Sequence, residues 1–139
     1  MYGVVLAAGR GTRMRPLTDR RPKPLLPVGD RSLLEHAFDA AHDVVDAYVV
    51  VVGYRGDAIR EAIGDAYRGR PVHYVDQETP RGTAHAIAQA EPVVDDRFVV
   101  LNGDVLVDPS LPRARRRRRD RHRGHGGRGP PCVRRDIAR

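Results

Sequence analysis

Apolar and polar positions over residues 1–112 follow two alternating rhythms. Gly3-Val4-Val5-Leu6-Ala7 is a short unbroken apolar run closed by Gly9, which predicts a buried strand by length and composition. Ser32, with Glu35 three residues on, carries the capping-box signal for a helix start. Leu33, Leu34, Ala37, Phe38 and Ala41 then recur at helical spacing. Ala47 to Val52 is a β-branched run without polar alternation, as expected of a parallel strand covered on both faces. The helical rhythm returns from Asp57 to Tyr67 through Ala58, Ile59, Ala62, Ile63 and Ala66. Val72 to Val75 predicts a third strand, Thr83 to Glu91 a third helix and Phe98 to Leu101 a fourth strand. Strands alternating with helices predict an α/β fold with a Rossmann-like, doubly wound, mainly parallel sheet, here incomplete. No internal repeat is visible.

Residues 113–139 obey neither rhythm. Arg115 to Arg119 is unbroken, and Gly124, Gly126, Gly127, Gly129, Pro130 and Pro131 follow. Fixing the backbone of this segment would cost on the order of 27–54 kcal/mol. Its largest apolar side chains, Val133 and Ile137, return at most about 1.5–3 kcal/mol each when buried. A disordered basic tail is expected after a folded body of residues 1–112.

Charge sharpens that division. The chain carries +7 overall, but residues 1–112 hold 13 Lys and Arg against 16 Asp and Glu, a net −3. Residues 113–139 hold 12 Arg against 2 Asp, a net +10. Basicity that would suggest nucleic-acid binding thus belongs to the tail alone, and binding through the tail is a rival function rather than the leading one. Hydrophobic residues at 40% and charged residues at 31% are ordinary for a soluble protein. No apolar run approaches the roughly 18 residues of a membrane span, and the first residues lack a signal-type pattern. The single cysteine, Cys132, makes no internal disulfide. These features argue against a membrane or secreted protein and for the cytoplasm.

The first strand runs into Leu6-Ala7-Ala8-Gly9-Arg10-Gly11-Thr12-Arg13-Met14-Arg15-Pro16-Leu17-Thr18. Glycines at the end of a parallel strand let backbone N–H groups approach a phosphate closely. Gly-x-Gly by itself is equally compatible with a plain turn. It is not the dinucleotide fingerprint, which needs a third glycine, nor a P-loop, which ends in Gly-Lys-Ser/Thr. Arg13, Arg15 and Lys23 add three cations within eleven residues, on a segment stiffened by Pro16, Pro22, Pro24 and Pro27.

The run from Leu6 to Val28, ending Pro22-Lys23-Pro24-Leu25-Leu26-Pro27-Val28, resembles the opening signature of the sugar-1-phosphate nucleotidylyltransferases, also called nucleotide-diphospho-sugar pyrophosphorylases. Gln77 with Gly82-Thr83-Ala84-His85-Ala86 resembles their base-reading segment, and Asn102-Gly103-Asp104 their metal-binding Gly-Asp at a strand end. The resemblance covers residues 1 to about 110 and implies transfer of a nucleotidyl group from a nucleoside triphosphate to a sugar-1-phosphate, with pyrophosphate released. Such a step needs no covalent nucleophile, only two polyanions held in line with their charge neutralised. By resemblance Leu6, Ala8, Gly9, Gly11 and Thr12 cradle the nucleotide. Arg13 holds the triphosphate and departing pyrophosphate, and Lys23 sits on the phosphates at the reacting centre. Gln77 and Gly82 read the base edge, Thr83 joins them in binding the nucleotide, and Asp104 ligates Mg²⁺. The segment Gly-Thr-x-His-Ala is closer to the N-acetylglucosamine-1-phosphate uridylyltransferases than to the glucose-1-phosphate thymidylyltransferases, so UTP leads and dTTP stays open. The complete enzyme is open to assembly as a homo-oligomer.

Plainer roles stand beside these. Lys23 taken alone is a surface lysine, and Asp104 beside Gly103 is turn chemistry. His85 is expected to pack on a helix face near the site. His36, His42 and His73 lack metal-type spacing, and Tyr48, Tyr54, Tyr67 and Tyr74 are expected as packing residues. Arg10 and Arg15 are expected in solvent. After Asp108-Pro109-Ser110-Leu111-Pro112 the family would continue with a further helix, more strands, the sugar-binding residues and a second metal-binding aspartate. The abrupt change to arginine suggests a shifted reading frame in a GC-rich gene. A truncated form would be weakly active or inactive, and a nucleotide-binding module without catalysis is the second alternative.

Overall fold

The computed structural model describes residues 1–94 and 97–106. Seven strands, β1 (Tyr2–Ala7), β2 (Pro27–Val28), β3 (Arg31–Ser32), β4 (Ala47–Val52), β5 (Ala66–Tyr67), β6 (Arg70–Asp76) and β7 (Phe98–Asn102), are described. Three helices, α1 (Leu33–Ala41), α2 (Gly56–Ile63) and α3 (Thr83–Gln89), connect them. The main sheet has the order β5-β6-β4-β1-β7. It is parallel at β1–β4, β1–β7 and β4–β6 and antiparallel at β5–β6. The mainly parallel α/β architecture is therefore the one the rhythms predict.

Alternation along the strands sends side chains to two cores. Val5, Val50 and Val52 pack with Leu34 and Phe38 of α1 and Ile59 of α2. Val4, Val49 and Val51 pack with Ala86 of α3 and Ala90. Helices on both faces explain why all six residues of β4 are buried and why its sequence shows no polar alternation. Both halves of the capping box form at α1: the Ser32 hydroxyl accepts from the Glu35 N–H, and the Glu35 carboxylate accepts from the Ser32 N–H. Among the described residues no helix is long and apolar enough to cross a membrane.

The helix expected from Asp57 to Tyr67 is shorter. Gly64 takes φ 73° and its N–H donates to the Arg60 carbonyl, which closes α2 after Ile63. Ala66 and Tyr67 belong instead to a hairpin, pairing with Pro71 and Arg70 across a turn with positive φ at Arg68 and Gly69. Tyr67 fits the helical spacing only because it reaches the same core from that hairpin, its ring 4.9 Å from Phe38. The expected helix Thr83 to Glu91 ends two residues early, at Gln89. The small hairpin β2–β3, turned at Gly29 with φ 67°, is too short to leave a period in the sequence. The predicted disordered tail, residues 113–139, falls outside the described residues.

Candidate functional site

β1 has β4 on one side and β7 on the other, with α1 and α2 covering one sheet face and α3 the opposite one. The chain thus reverses its winding direction beside β1, and the carboxyl ends of the strands there border a crevice, where α/β sheets bind ligands. A cleft of about 270 Å³ opens at this edge. Nine of the predicted site residues line it: Leu6, Ala8, Gly9, Gly11, Lys23, Gln77, Gly82, Thr83 and Asp104. They come from the ends of β1, β6 and β7, from the segment after β1 and from the start of α3. The structure therefore brings together residues up to 98 positions apart, the span from Leu6 to Asp104.

Small residues make that convergence possible. Gly103 donates its N–H to the Leu6 carbonyl at 2.9 Å, and a Cβ there would stand 3.1 Å from that oxygen. Gly53, after β4, would bring a Cβ to 3.0 Å from the Ala8 carbonyl. The glycine loop itself uses its two glycines differently. A Cβ on Gly9 would meet nothing within 4 Å, so this residue opens onto free space at the cleft wall. Gly11 takes φ 61°, and a Cβ there would lie 2.9 Å from the Lys23 Cβ and 3.0 Å from the Thr18 Cγ2. Its carbonyl accepts a 2.9 Å hydrogen bond from the Thr18 hydroxyl, a side chain only 2% exposed. Thr18 is thus a buried buttress of the loop. The sequence marks it only as the last residue of the Pro-Leu-Thr stretch.

Lys23 sits on a single helical turn, Lys23–Leu25, between the buried prolines Pro22 and Pro24. Its ammonium lies 2.8 Å from the Asp104 carboxylate, across 81 residues of sequence. The two groups expected to meet phosphate and metal thus stand within reach of each other. Both remain partly open, with side-chain exposures of 26% and 38%. Among the described residues no group of three or more His, Cys, Asp or Glu forms a metal cage. Mg²⁺ usually needs none: one or two carboxylates plus substrate phosphates and water hold it. A single partly open carboxylate on the wall of the cleft fits that mode.

Gln77 follows β6, and its backbone N–H donates to the Val52 carbonyl at 2.7 Å, tying it to the end of β4. The residue is 7% exposed. Its side-chain nitrogen lies 2.9 Å from His85 Nδ1 and 3.4 Å from the Gly82 carbonyl. Gly82 carries φ 90° at the head of α3, which turns that carbonyl toward Gln77. His85 is therefore more than a packing residue: its ring is bonded to a wall of the cleft.

Thr12 and Arg13 do not line the cleft and sit exposed on the single turn Thr12–Met14 beside it. Arg15 is exposed and pairs with Asp19 at 3.5 Å. Tyr54 departs from the packing role expected of it. It is exposed and lies between the guanidinium groups of Arg10 and Arg55, 5.9 and 5.6 Å from its ring centre. Arg10 is exposed as expected, but stacked rather than free. Tyr48 and Tyr67 do pack, ringed around Phe38, and burial is the main force pushing the Tyr67 hydroxyl up to about 12. His36 bonds the Val28 carbonyl at 2.9 Å, a structural contact.

The family described as Nucleotidyl transferase matches residues 2–127. A UTP–glucose-1-phosphate uridylyltransferase, AglF of Haloferax volcanii, is 40% identical over 86% of this chain and 50% of its own length. The bifunctional protein GlmU of Methanocaldococcus jannaschii is 36% identical over 80% of this chain and 26% of its own. Among solved structures, a Bacillus anthracis protein assigned as a glucose-1-phosphate thymidylyltransferase and crystallised with sucrose superposes with a TM-score of 0.74. It is 28% identical, and the match covers 86% of this chain and 51% of that one. The chain spans half or less of the length of the curated relatives described here.

Proposed function

Because the chain belongs to the nucleotidyl transferase family, we propose that its cleft binds a nucleoside triphosphate, UTP or dTTP, for transfer of the nucleotidyl group to a sugar-1-phosphate. One observation carries this reading: the glycine loop, Lys23, Gln77 and Asp104 line a single cleft at the crevice where the sheet reverses its winding. The uridylyltransferase and thymidylyltransferase relatives support the substrate class.

In the reaction, an oxygen of the sugar-1-phosphate attacks the α-phosphorus. The bond from that phosphorus to the β-phosphate bridging oxygen breaks in line, and pyrophosphate leaves. The backbone at Gly9 and Gly11 approaches the phosphates without side-chain obstruction. Lys23 swings from Asp104 onto the phosphates and places positive charge where negative charge grows. Arg13, on its exposed turn, closes over the β- and γ-phosphates. Asp104 would hold Mg²⁺, which when bound supplies further positive charge against the phosphates. Gln77 and the Gly82–Thr83 backbone meet the base.

Calorimetric titration of the 139-residue chain with UTP, dTTP, CTP and ATP in Mg²⁺ tests the reading. Saturable binding of UTP or dTTP, displaced by pyrophosphate, is expected. Binding of none of the four nucleotides would sink it.

A further inference from the structure

We infer that His85 is a specificity-positioning residue: its Nδ1 locks the Gln77 amide so that only an oxygen acceptor faces the base. The inference rests on the nucleotide reading of the cleft. An amide side chain can present either its NH₂ or its oxygen, and the two orientations are nearly identical in shape. What Gln77 presents is decided by its neighbours. The Gly82 carbonyl, 3.4 Å from the side-chain nitrogen, can only accept and biases the NH₂ that way, but at that length the bond is too weak to hold the amide by itself. The same nitrogen lies 2.9 Å from His85 Nδ1, which must then accept as well. A neutral imidazole accepts at one nitrogen only, and the shorter contact, 2.9 Å from the buried Gln77, takes Nδ1. The ring proton then sits on Nε2. The Gln89 amide, 3.3 Å away, turns its oxygen toward it and gives up the 3.4 Å contact of its nitrogen with the His85 carbonyl. No buried side-chain nitrogen or oxygen among the described residues lacks a partner, so the remaining Gln77 oxygen opens into the cleft.

The consequence is chemical. Uracil and thymine carry a donor at N3, and cytosine carries an acceptor there. A Gln77 oxygen held toward N3 bonds the first pair and repels the third base. A freely rotating amide would offer its NH₂ to cytosine N3 and lose the distinction. Burial makes the lock worth having: with Gln77 only 7% exposed, a mismatched partner is not easily replaced by water. His85 lies on α3, two residues after Thr83, and is not among the residues that line the cleft.

Kd values for UTP, dTTP and CTP, measured on the full chain and on His85→Leu and His85→Asn, test this. Wild type is expected to favour UTP and dTTP over CTP by at least about tenfold. His85→Leu removes the acceptor and is expected to bring the UTP-to-CTP ratio within about threefold of one. His85→Asn keeps an acceptor oxygen at the Nδ1 position and is expected to restore most of the preference. An unchanged ratio in a folded His85→Leu variant would overturn the inference alone. Failure of every nucleotide to bind wild type would overturn the cleft reading and this inference with it. Nitrogen-15 spectra of the wild-type imidazole give a readout independent of any variant. An unprotonated Nδ1 and a protonated Nε2 are expected, and the opposite tautomer overturns the lock.

Discussion

Gly9 and Gly11 stand two residues apart in one loop, yet substituting alanine at each should damage different properties. At Gly11 three effects combine. A left-handed backbone costs a non-glycine residue about 1–2 kcal/mol. The new Cβ would sit 2.9 Å from the Lys23 Cβ and 3.0 Å from the Thr18 Cγ2, and relieving such overpacking costs about 1–3 kcal/mol. The loss of unfolded-state freedom offsets about 0.4–1 kcal/mol. The net for Gly11→Ala is a destabilisation of about 1–5 kcal/mol, which in a body of this size lowers Tm by at least about 4 °C. Gly9 carries no left-handed φ, and its Cβ would meet nothing within 4 Å. Gly9→Ala should therefore leave Tm unchanged or slightly raised. Its methyl would intrude where the triphosphate approaches the backbone, and the Kd for UTP should rise about tenfold. Melting followed by circular dichroism and nucleotide titration on the same samples separate the two. If Gly9→Ala melts as low as Gly11→Ala, or binds UTP as wild type does, the division of labour in the loop is wrong.

Two further perturbations probe other links. Lys23→Ala removes one partner of a half-exposed ion pair, so stability should change by about 1 kcal/mol or less, while turnover of a complete enzyme should fall roughly 10²–10³-fold; denaturant titration and pyrophosphate release check the two halves. Asp39 should govern stability in acid: burial alone would raise its carboxyl, but hydrogen bonds from Arg68, Arg31 and Tyr67 outweigh that and hold it below the usual value. Because the folded value is the lower one, the stabilisation is complete above the unfolded carboxylate range near pH 4 and drains away as pH falls below it. Asp39→Asn should cost about 1.5–3 kcal/mol at pH 7 and flatten that acid limb in urea melts at pH 7 and pH 3.

How much the sequence reveals depends on the range of the cause. β1, α1 and β4 are legible because each is set locally, by an apolar run or a capping box. The end of α2 is misjudged because Tyr67 serves the same core from a hairpin as it would from a helix, and period alone does not distinguish them. Within the site, the glycines and Lys23 are visible in the loop and its cations, and Gln77 and Asp104 through resemblance to the family's segments. Thr18 and His85 are not, since each acts through another residue: one buttresses the Gly11 carbonyl and the other fixes an amide. Tyr54 is misplaced because its two cationic neighbours, Arg10 and Arg55, come together only in three dimensions.

The pairing of Lys23 with Asp104 also bears on what a triphosphate would displace under the proposed reading of the cleft. On that reading the Lys23 ammonium would leave the Asp104 carboxylate for phosphate, and in the pair each charge compensates the other. Their partial exposure keeps the pair weak, of the order of 1 kcal/mol or less. Breaking it therefore subtracts little from the affinity for a triphosphate. A fully buried pair would cost several kcal/mol to separate. The half-open position at the end of β7 is thus what lets the same two charges pair with each other and still yield to a polyanion.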